Sequence, residues 1–199
     1  MIDLKIFNRW DTKGVVVGDL GLKDYINLHP ILVPKTGGRN VKIRFHKSKY
    51  SIVERMINKL MVPGHKGKKH HLTSYYNTGK GHKAYSLIEK TFEIIEKKTQ
   101  QNPIQVFVKA IENAATREEV TSIEYGGAKY PQAVDCSPQR RVDLTLRFFA
   151  QGAYNKTFHG KKRAEEYLAD EILNAYNSDQ KSFALSKKLE LERQADSSR

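Results

Sequence analysis

Beyond residue 50, apolar side chains recur at the three- and four-residue spacing of one helical face. The first such set (Ile52, Val53, Met56, Ile57 and Leu60) predicts a helix over 50–61, which Pro63-Gly64 ends. A second helix is predicted to end near Lys98. A third is predicted to begin at Asn102-Pro103 and a fourth at Ser137-Pro138, and a fifth is predicted to end near Tyr176. A short helix over 20–27 with Asp19 as its N-cap precedes them, and we expect the C-terminal tail to start helical and fray at its polar end.

The pattern changes near Glu119, where two strand-like segments at 120–125 and 128–134 flank Gly126-Gly127, a two-residue hairpin signal. Two strands alone are marginally stable, so this ribbon must lean on the helices or on a partner. The predicted fold is mainly α: a bundle of about six helices with a protruding two-stranded β-ribbon and an extended basic N-terminal arm. We divide the chain into an extension at 1–49 and a helical domain at 50–199, with the ribbon at 118–136.

Composition narrows the class of protein. The chain has 199 residues, 39% of them hydrophobic, which is enough to bury a core. Its apolar runs fall far short of the ~20 residues of a membrane span, and its first eleven residues lack the apolar stretch of a secretory signal. The single cysteine, Cys136, rules out an internal disulfide framework. We therefore expect a cytoplasmic protein with no membrane partner.

The positive charge is concentrated in one quarter of the chain. The formal net charge is +13, and residues 35–86 contain thirteen Lys and Arg residues against one acid, Glu54. A segment with so few acids repels itself unless a polyanion neutralises it, which favours a nucleic acid over an anionic membrane surface or an acidic protein. Within it, the Gly-rich stretch 36–44 predicts an extended arm on a negative surface, carrying Arg39, Lys42 and Arg44.

Signs of catalysis are weak. His65, His70 and His71 suggest zinc, but the one cysteine is distant in sequence and the neighbouring lysines repel a cation. The Gly- and Lys-containing stretches lack the spacing of a phosphate-binding loop. We expect no metal, no cofactor and no enzymatic activity, and we expect the sole tryptophan, Trp10, to anchor packing rather than stack on a base.

Several short motifs, in order, resemble one known family. They are Ile52-Val53-Glu54-Arg55, Asn58-Lys59-Leu60-Met61, Asn102-Pro103, Ala110-Ile111-Glu112-Asn113, Gly126-Gly127, Arg140-Arg141 and Leu168-Ala169-Asp170-Glu171-Ile172. Together they are similar to small-subunit ribosomal protein seven in its archaeal and eukaryotic form. The resemblance covers nearly the whole chain and is most specific over 50–176.

The resemblance implies an RNA-binding scaffold of the small ribosomal subunit. Members of that family bind the 3′ major domain of small-subunit ribosomal RNA (rRNA) and nucleate assembly of the subunit head. Their ribbon lies near the exit-site transfer RNA (tRNA) and the messenger RNA (mRNA) path, and ribosomal protein eleven is a neighbour. These are the partners that we expect here.

Carried over residue by residue, the resemblance implies that several basic positions touch rRNA. They are Lys66, Lys68, Lys69, Lys80, Lys83, Arg140, Arg141, Arg147 and Lys162. At the ribbon tip, Glu124 and Tyr125 stand where bacterial members of the family carry paired arginines. We therefore expect the residues beside Gly126-Gly127 to stack or hydrogen-bond near tRNA and mRNA; they are Tyr125, Lys129 and Tyr130. Removing Arg140 and Arg141 is expected to weaken RNA binding by roughly 1–3 kcal/mol per lost contact.

Two other functions remain as alternatives at this point. Helices with a basic hairpin also suggest a winged-helix regulator that binds DNA, although such proteins concentrate their cations on one recognition helix. A basic RNA-processing enzyme that uses clustered histidines as acid and base is the second alternative.

Overall fold

The computed structural model describes residues 4–38, 42–64 and 77–199. Within these ranges the chain forms seven α-helices, a 3₁₀ turn and one two-stranded antiparallel ribbon, so the predicted mainly helical fold is confirmed. The elements are α1 (Leu20–Lys23), the 3₁₀ turn (His46–Lys49), α2 (Ile52–Leu60), α3 (Gly81–Thr99), α4 (Pro103–Ala114), β1 (Glu118–Tyr125), β2 (Ala128–Asp135), α5 (Pro138–Thr157), α6 (Ala164–Tyr176) and α7 (Phe183–Asp196).

The helix starts follow from capping residues. The side chains of Asp19 and Asn102 each accept a hydrogen bond from the backbone N–H two positions along the chain, at 2.9 Å and 3.0 Å. Pro103 and Pro138 stand at the first turns of α4 and α5, as predicted. Ser137 occupies the N-cap position of α5, as predicted, although among the described residues its side chain makes no capping hydrogen bond.

The N-terminal segment is irregular, yet its first apolar residues belong to the core. Ile6, Phe7 and Trp10 are buried, and the Trp10 ring packs edge-on against Phe92 of α3 with 5.7 Å between centroids. The predicted role of Trp10 as a packing anchor is therefore confirmed. Further along, Thr36 donates from its backbone N–H (2.8 Å) and its hydroxyl (2.6 Å) to one carboxylate oxygen of Glu54 on α2.

Helix α6 lies at the centre of the bundle and contacts α3, α4 and α5. The core continues through the rings of Phe92, Phe107 and Phe149, which come from α3, α4 and α5. Helix α2 packs between α3 and α5 and places the buried Arg55 and the half-buried Lys59 beside α5. Among the described residues, no helix combines the length and apolar character needed to cross a membrane.

The ribbon pairs from Glu118 opposite Asp135 at its base to Tyr125 opposite Ala128 at its tip. Gly126 (φ 59°) and Gly127 (φ 82°) both adopt left-handed backbone, which a two-residue hairpin turn of type I′ requires. The strands begin and end within two residues of the predicted positions, and α7 packs against both of them. The ribbon thus leans on a helix, as expected of two strands.

The C-terminal tail corrects one expectation. Helix α7 continues to Asp196 rather than fraying, with Ala195 fully buried near its end. Arg199, three residues beyond, pairs with Glu118 of β1 at 2.5 Å. Arg199 at the end of the tail therefore pairs with a residue of the ribbon that lies far away in sequence, which the periodicity of the tail does not reveal.

Candidate nucleic-acid interface

An open cleft of about 560 Å³ lies where α2 and the preceding 3₁₀ turn meet α5. We call it the cationic cleft, defined by four basic residues around one acid: Lys47, Arg55, Lys59, Arg147 and Asp143. The remaining lining side chains are Tyr50, Asn58, Val62 and Ala150.

Helical spacing explains why these charges converge. Arg55 and Lys59 are four residues apart on α2, and Asp143 and Arg147 are four residues apart on α5, so each pair occupies one helix face. The two faces meet, and Arg55 donates to Asp143 at 3.1 Å. Lys47, on the 3₁₀ turn, also pairs with Asp143. The carboxylate thus joins three elements at the floor of the cleft.

The electrostatics of the cationic cleft favour an anion. Burial alone would raise the pKa of Asp143, but the bonds and charges of Lys47, Arg55 and Lys59 outweigh burial and lower this pKa. Burial lowers the pKa of Lys59; Asp143 counteracts that shift, while Arg147, Lys47 and Arg55 add to it. One carboxylate against four cations leaves three positive charges uncompensated, and a phosphate would relieve their repulsion.

Arg55 supplies a buried donor at this site. Its side chain is only 4% exposed, with one nitrogen donating to the carbonyl of Tyr25 at 2.9 Å and another to Asp143. Its Nε has no hydrogen-bond partner within the described part of the chain. A buried charged donor without a partner costs free energy, so an additional acceptor near this guanidinium would be favourable.

Of the helix-borne arginines predicted to bind RNA, Arg147 lines the cationic cleft and is exposed. Arg140 pairs with Glu119 at the base of β1, and one of its bonds is 2.6 Å long. Arg141 pairs with Asp19 at 2.8 Å and is largely buried. These two arginines already have carboxylate partners within the protein, and RNA binding by them remains a prediction.

The other predicted basic residues are distributed around the surface. Lys162 pairs with Asp170 at 3.0 Å. Lys80 and Lys83 are exposed at the start of α3, where Gly81 lies close to Met61 at the end of α2.

Lys42 and Arg44 are exposed, and the Arg44 guanidinium lies 5.7 Å from the ring centroid of the exposed Phe45. The remaining predicted contacts and the histidines proposed for catalysis lie outside the described residues: Arg39, Lys66, Lys68, Lys69, His65, His70 and His71.

The ribbon tip presents two different faces. Tyr130 pairs with Ile123, and Tyr125 pairs with Ala128, so both tyrosines share one face of the hairpin. Their exposed fractions are 80% for Tyr125 and 58% for Tyr130. Lys129 lies on the opposite face, across from Glu124. The predicted tip residues therefore form an aromatic face and a separate charged face, and binding of tRNA or mRNA by either remains a prediction.

Sequence reasoning missed four of the five residues that define the cationic cleft. Lys47, Arg55 and Lys59 were counted in the basic segment but were not singled out as site residues, and Asp143 was not considered. The available signal was the pair of matching four-residue spacings on α2 and α5. Sequence alone does not show that these two faces meet, because Arg55 and Asp143 are separated by 88 positions.

Comparison with known proteins gives a consistent result. Residues 22–199 match the family model described as ribosomal protein S7p/S5e. The chain is 58% identical to small ribosomal subunit protein uS7 of Nanoarchaeum equitans, over 98% of this chain and 99% of that protein. Proteins of the same name from Methanosphaera stadtmanae (51% identical, 98% of each chain) and Methanococcus aeolicus (47% identical, 100% of each chain) are also similar.

Proposed function

This chain belongs to the ribosomal protein S7p/S5e family, and from that membership we propose that it is a structural, non-enzymatic constituent of the small ribosomal subunit that binds rRNA directly. The cationic cleft is the observation that supports direct binding most strongly. It gathers basic groups from three elements and leaves three positive charges uncompensated. We therefore place one rRNA phosphate contact there.

The binding mechanism follows from the charges. Lys and Arg neutralise phosphates and release condensed counterions, so affinity falls as salt rises. The exposed Arg147 can bind an oxyanion through two parallel bonds, which fixes the orientation of the RNA more firmly than a lysine does. Lys80, Lys83, Lys42 and Arg44 are exposed and supply further contacts to structured RNA, which proteins recognise mainly by shape.

The finer part of the proposal concerns the location within the subunit. We propose that the RNA target is the 3′ major domain, that binding nucleates assembly of the head, and that the ribbon tip approaches exit-site tRNA, mRNA and ribosomal protein eleven. Support comes from the resemblance and from the exposure of Tyr125 and Tyr130 at the tip. Arg140, Arg141 and Lys162 remain candidate contacts. To bind one of them, an RNA phosphate must either displace the carboxylate with which that residue pairs or bind beside it.

Filter binding tests the proposal. The full chain is mixed with the 3′ major-domain rRNA fragment, an unrelated RNA of equal length and duplex DNA, at a low and a high salt concentration. Retention of the rRNA fragment alone at high salt is the expected result. Equal and salt-labile retention of all three nucleic acids would contradict it, and preferential retention of DNA would favour the winged-helix alternative.

Variants of the cationic cleft make the test specific. Arg147→Gln is expected to weaken rRNA binding about ten- to a hundredfold and to lower the salt dependence by about one phosphate equivalent. Lys181→Gln is the matched control, because it removes the same charge from a side chain that is 82% exposed and outside the cleft. Equal losses in both variants would show that the cleft has no special role.

A further inference from the structure

We propose that the cationic cleft receives one unpaired nucleotide of the RNA, with its phosphate among the basic groups and its base against Tyr50. This inference rests on the proposed function and adds the form of RNA that the site selects. A duplex backbone presents its phosphates on a convex surface, whereas an unpaired nucleotide can enter a recess with both phosphate and base.

The size of the cleft is the first argument. Its volume of about 560 Å³ lies within the ~300–1,000 Å³ range of pockets that hold small organic molecules. A single phosphate on the protein surface requires no such volume. The cleft therefore has room for a larger group attached to the anion.

The depth of the basic groups is the second argument. The Arg55 side chain is 4% exposed although it lines the cleft, and its Nε has no partner among the described residues. A phosphate on the rim could contact the exposed Arg147, but reaching Arg55 requires the phosphate to enter the recess. Only a backbone that departs from the regular duplex path can bring it there.

The composition of the lining is the third argument. Tyr50, Val62 and Ala150 provide an apolar part beside the basic one. The Tyr50 ring lies 5.9 Å from the His46 ring, and the Tyr50 backbone N–H donates to the carbonyl of Lys47 at 3.2 Å. An aromatic ring held in this way offers a surface on which a base can stack.

Asn58 adds a group that can read the base. It lies on α2 three residues after Arg55, so both occupy the same side of the helix, and its exposed side chain lines the cleft. A carboxamide both donates and accepts hydrogen bonds, as the edge of a base requires. The cleft thus combines groups for a phosphate, a base face and a base edge.

Two hairpin RNAs test the inference: one carries a single bulged 2-aminopurine, and the other is the same hairpin fully paired. The full chain is expected to bind the bulged hairpin about five- to a hundredfold more tightly, which is the effect of stacking one base on an aromatic ring. The fluorescence of 2-aminopurine is expected to fall on binding. Tyr50→Ala should abolish the preference and the fluorescence change, whereas Tyr50→Phe should retain both.

Controls separate the possible failures. Phe158→Ala removes an exposed aromatic ring beyond the end of α5 and should leave the preference intact. If the native chain retains the 3′ major-domain fragment but does not prefer the bulge, or if Tyr50→Ala keeps the preference with an unchanged circular dichroism spectrum, the inference is overturned and the proposed function stands. If the chain prefers the bulge but does not distinguish the rRNA fragment from unrelated RNA, the inference is supported and the proposed function fails.

Discussion

Replacing Asp143 with asparagine tests whether the floor of the cationic cleft is held together by its one acid. The carboxylate accepts from Arg55 at 3.1 Å and pairs with Lys47, and its side chain is 14% exposed. Asparagine preserves the shape but removes the charge. The buried guanidinium of Arg55 then loses its charged partner and keeps its hydrogen bond to the carbonyl of Tyr25.

The expected cost follows from this burial. Breaking a buried ion pair by removing one partner costs about 3–5 kcal/mol, because the other charge remains buried and uncompensated. We expect the lower end, about 3 kcal/mol, since the Tyr25 carbonyl still accepts from Arg55 and the new amide oxygen can also accept. For a chain of this length the melting temperature should fall by roughly 6–12 °C.

Urea and thermal unfolding, followed by circular dichroism, measure the effect. Asp24→Asn is the matched control, because Asp24 is exposed and makes no ion pair within the described residues; a change under about 0.5 kcal/mol is expected. If Asp143→Asn were as mild as this control, Arg55 would not depend on its carboxylate partner and the reasoning would be refuted.

The same variant predicts a pH dependence. Burial raises the pKa of Asp143, but Lys47, Arg55 and Lys59 overcome it, so the pKa in the folded protein lies below the unfolded value near 3.9. A lowered folded pKa gives stability above the unfolded pKa, and this stability is lost as pH falls. The stability difference between native and Asp143→Asn chains should therefore be full at pH 7 and shrink below about pH 5. A difference that stayed constant on acidification would contradict the assigned ion pairs.

Three further predictions concern other parts of the fold. Gly152→Ala should lower stability by about 1–3 kcal/mol in thermal unfolding, because the added Cβ would lie 2.7 Å from Cβ of Phe183; no loss would mean that α7 can shift freely. Burial, and after it Glu119, raises the pKa of the Cys136 thiol to about 11. At pH 8 this thiol should therefore react with a thiol reagent about a hundredfold more slowly in the folded chain than in the urea-unfolded chain. Equal rates would disprove this. Arg141→Gln should cost about 1.5 kcal/mol in urea unfolding through its lost bond to Asp19, and unchanged stability would show that this arginine is available to RNA at no cost to the fold.

The elements of the fold were accessible to sequence reasoning because their signals are local. The apolar spacing of α2, the Asn102-Pro103 start of α4 and the Gly126-Gly127 turn each depend on a few neighbouring residues. The end of α7 was mispredicted because the chain just beyond this helix contacts a distant part of the sequence. Arg199 pairs with Glu118, and the two residues lie 81 positions apart.

The candidate site was accessible only in part. The basic segment and Arg147 were identified from charge and from resemblance, and Arg147 does line the cationic cleft. The grouping of Arg55 and Lys59 with Asp143 depends on how α2 packs against α5. Likewise, the partners of Arg140 and Arg141 are acids brought near by the ribbon and by the segment before α1, which no spacing along the chain reveals.

The two bonds between Thr36 and Glu54 have a consequence for the kinetics of encounter. Glu54 is the only acid among residues 35–86, and it is 3% exposed with one oxygen turned to Thr36. Since Glu54 accepts from Thr36 and forms no ion pair among the described residues, it takes none of the described lysines and arginines of this segment as a partner, and the segment keeps its large positive charge. This positive charge makes collisions with RNA more frequent, and the association rate falls steeply as ions screen the field.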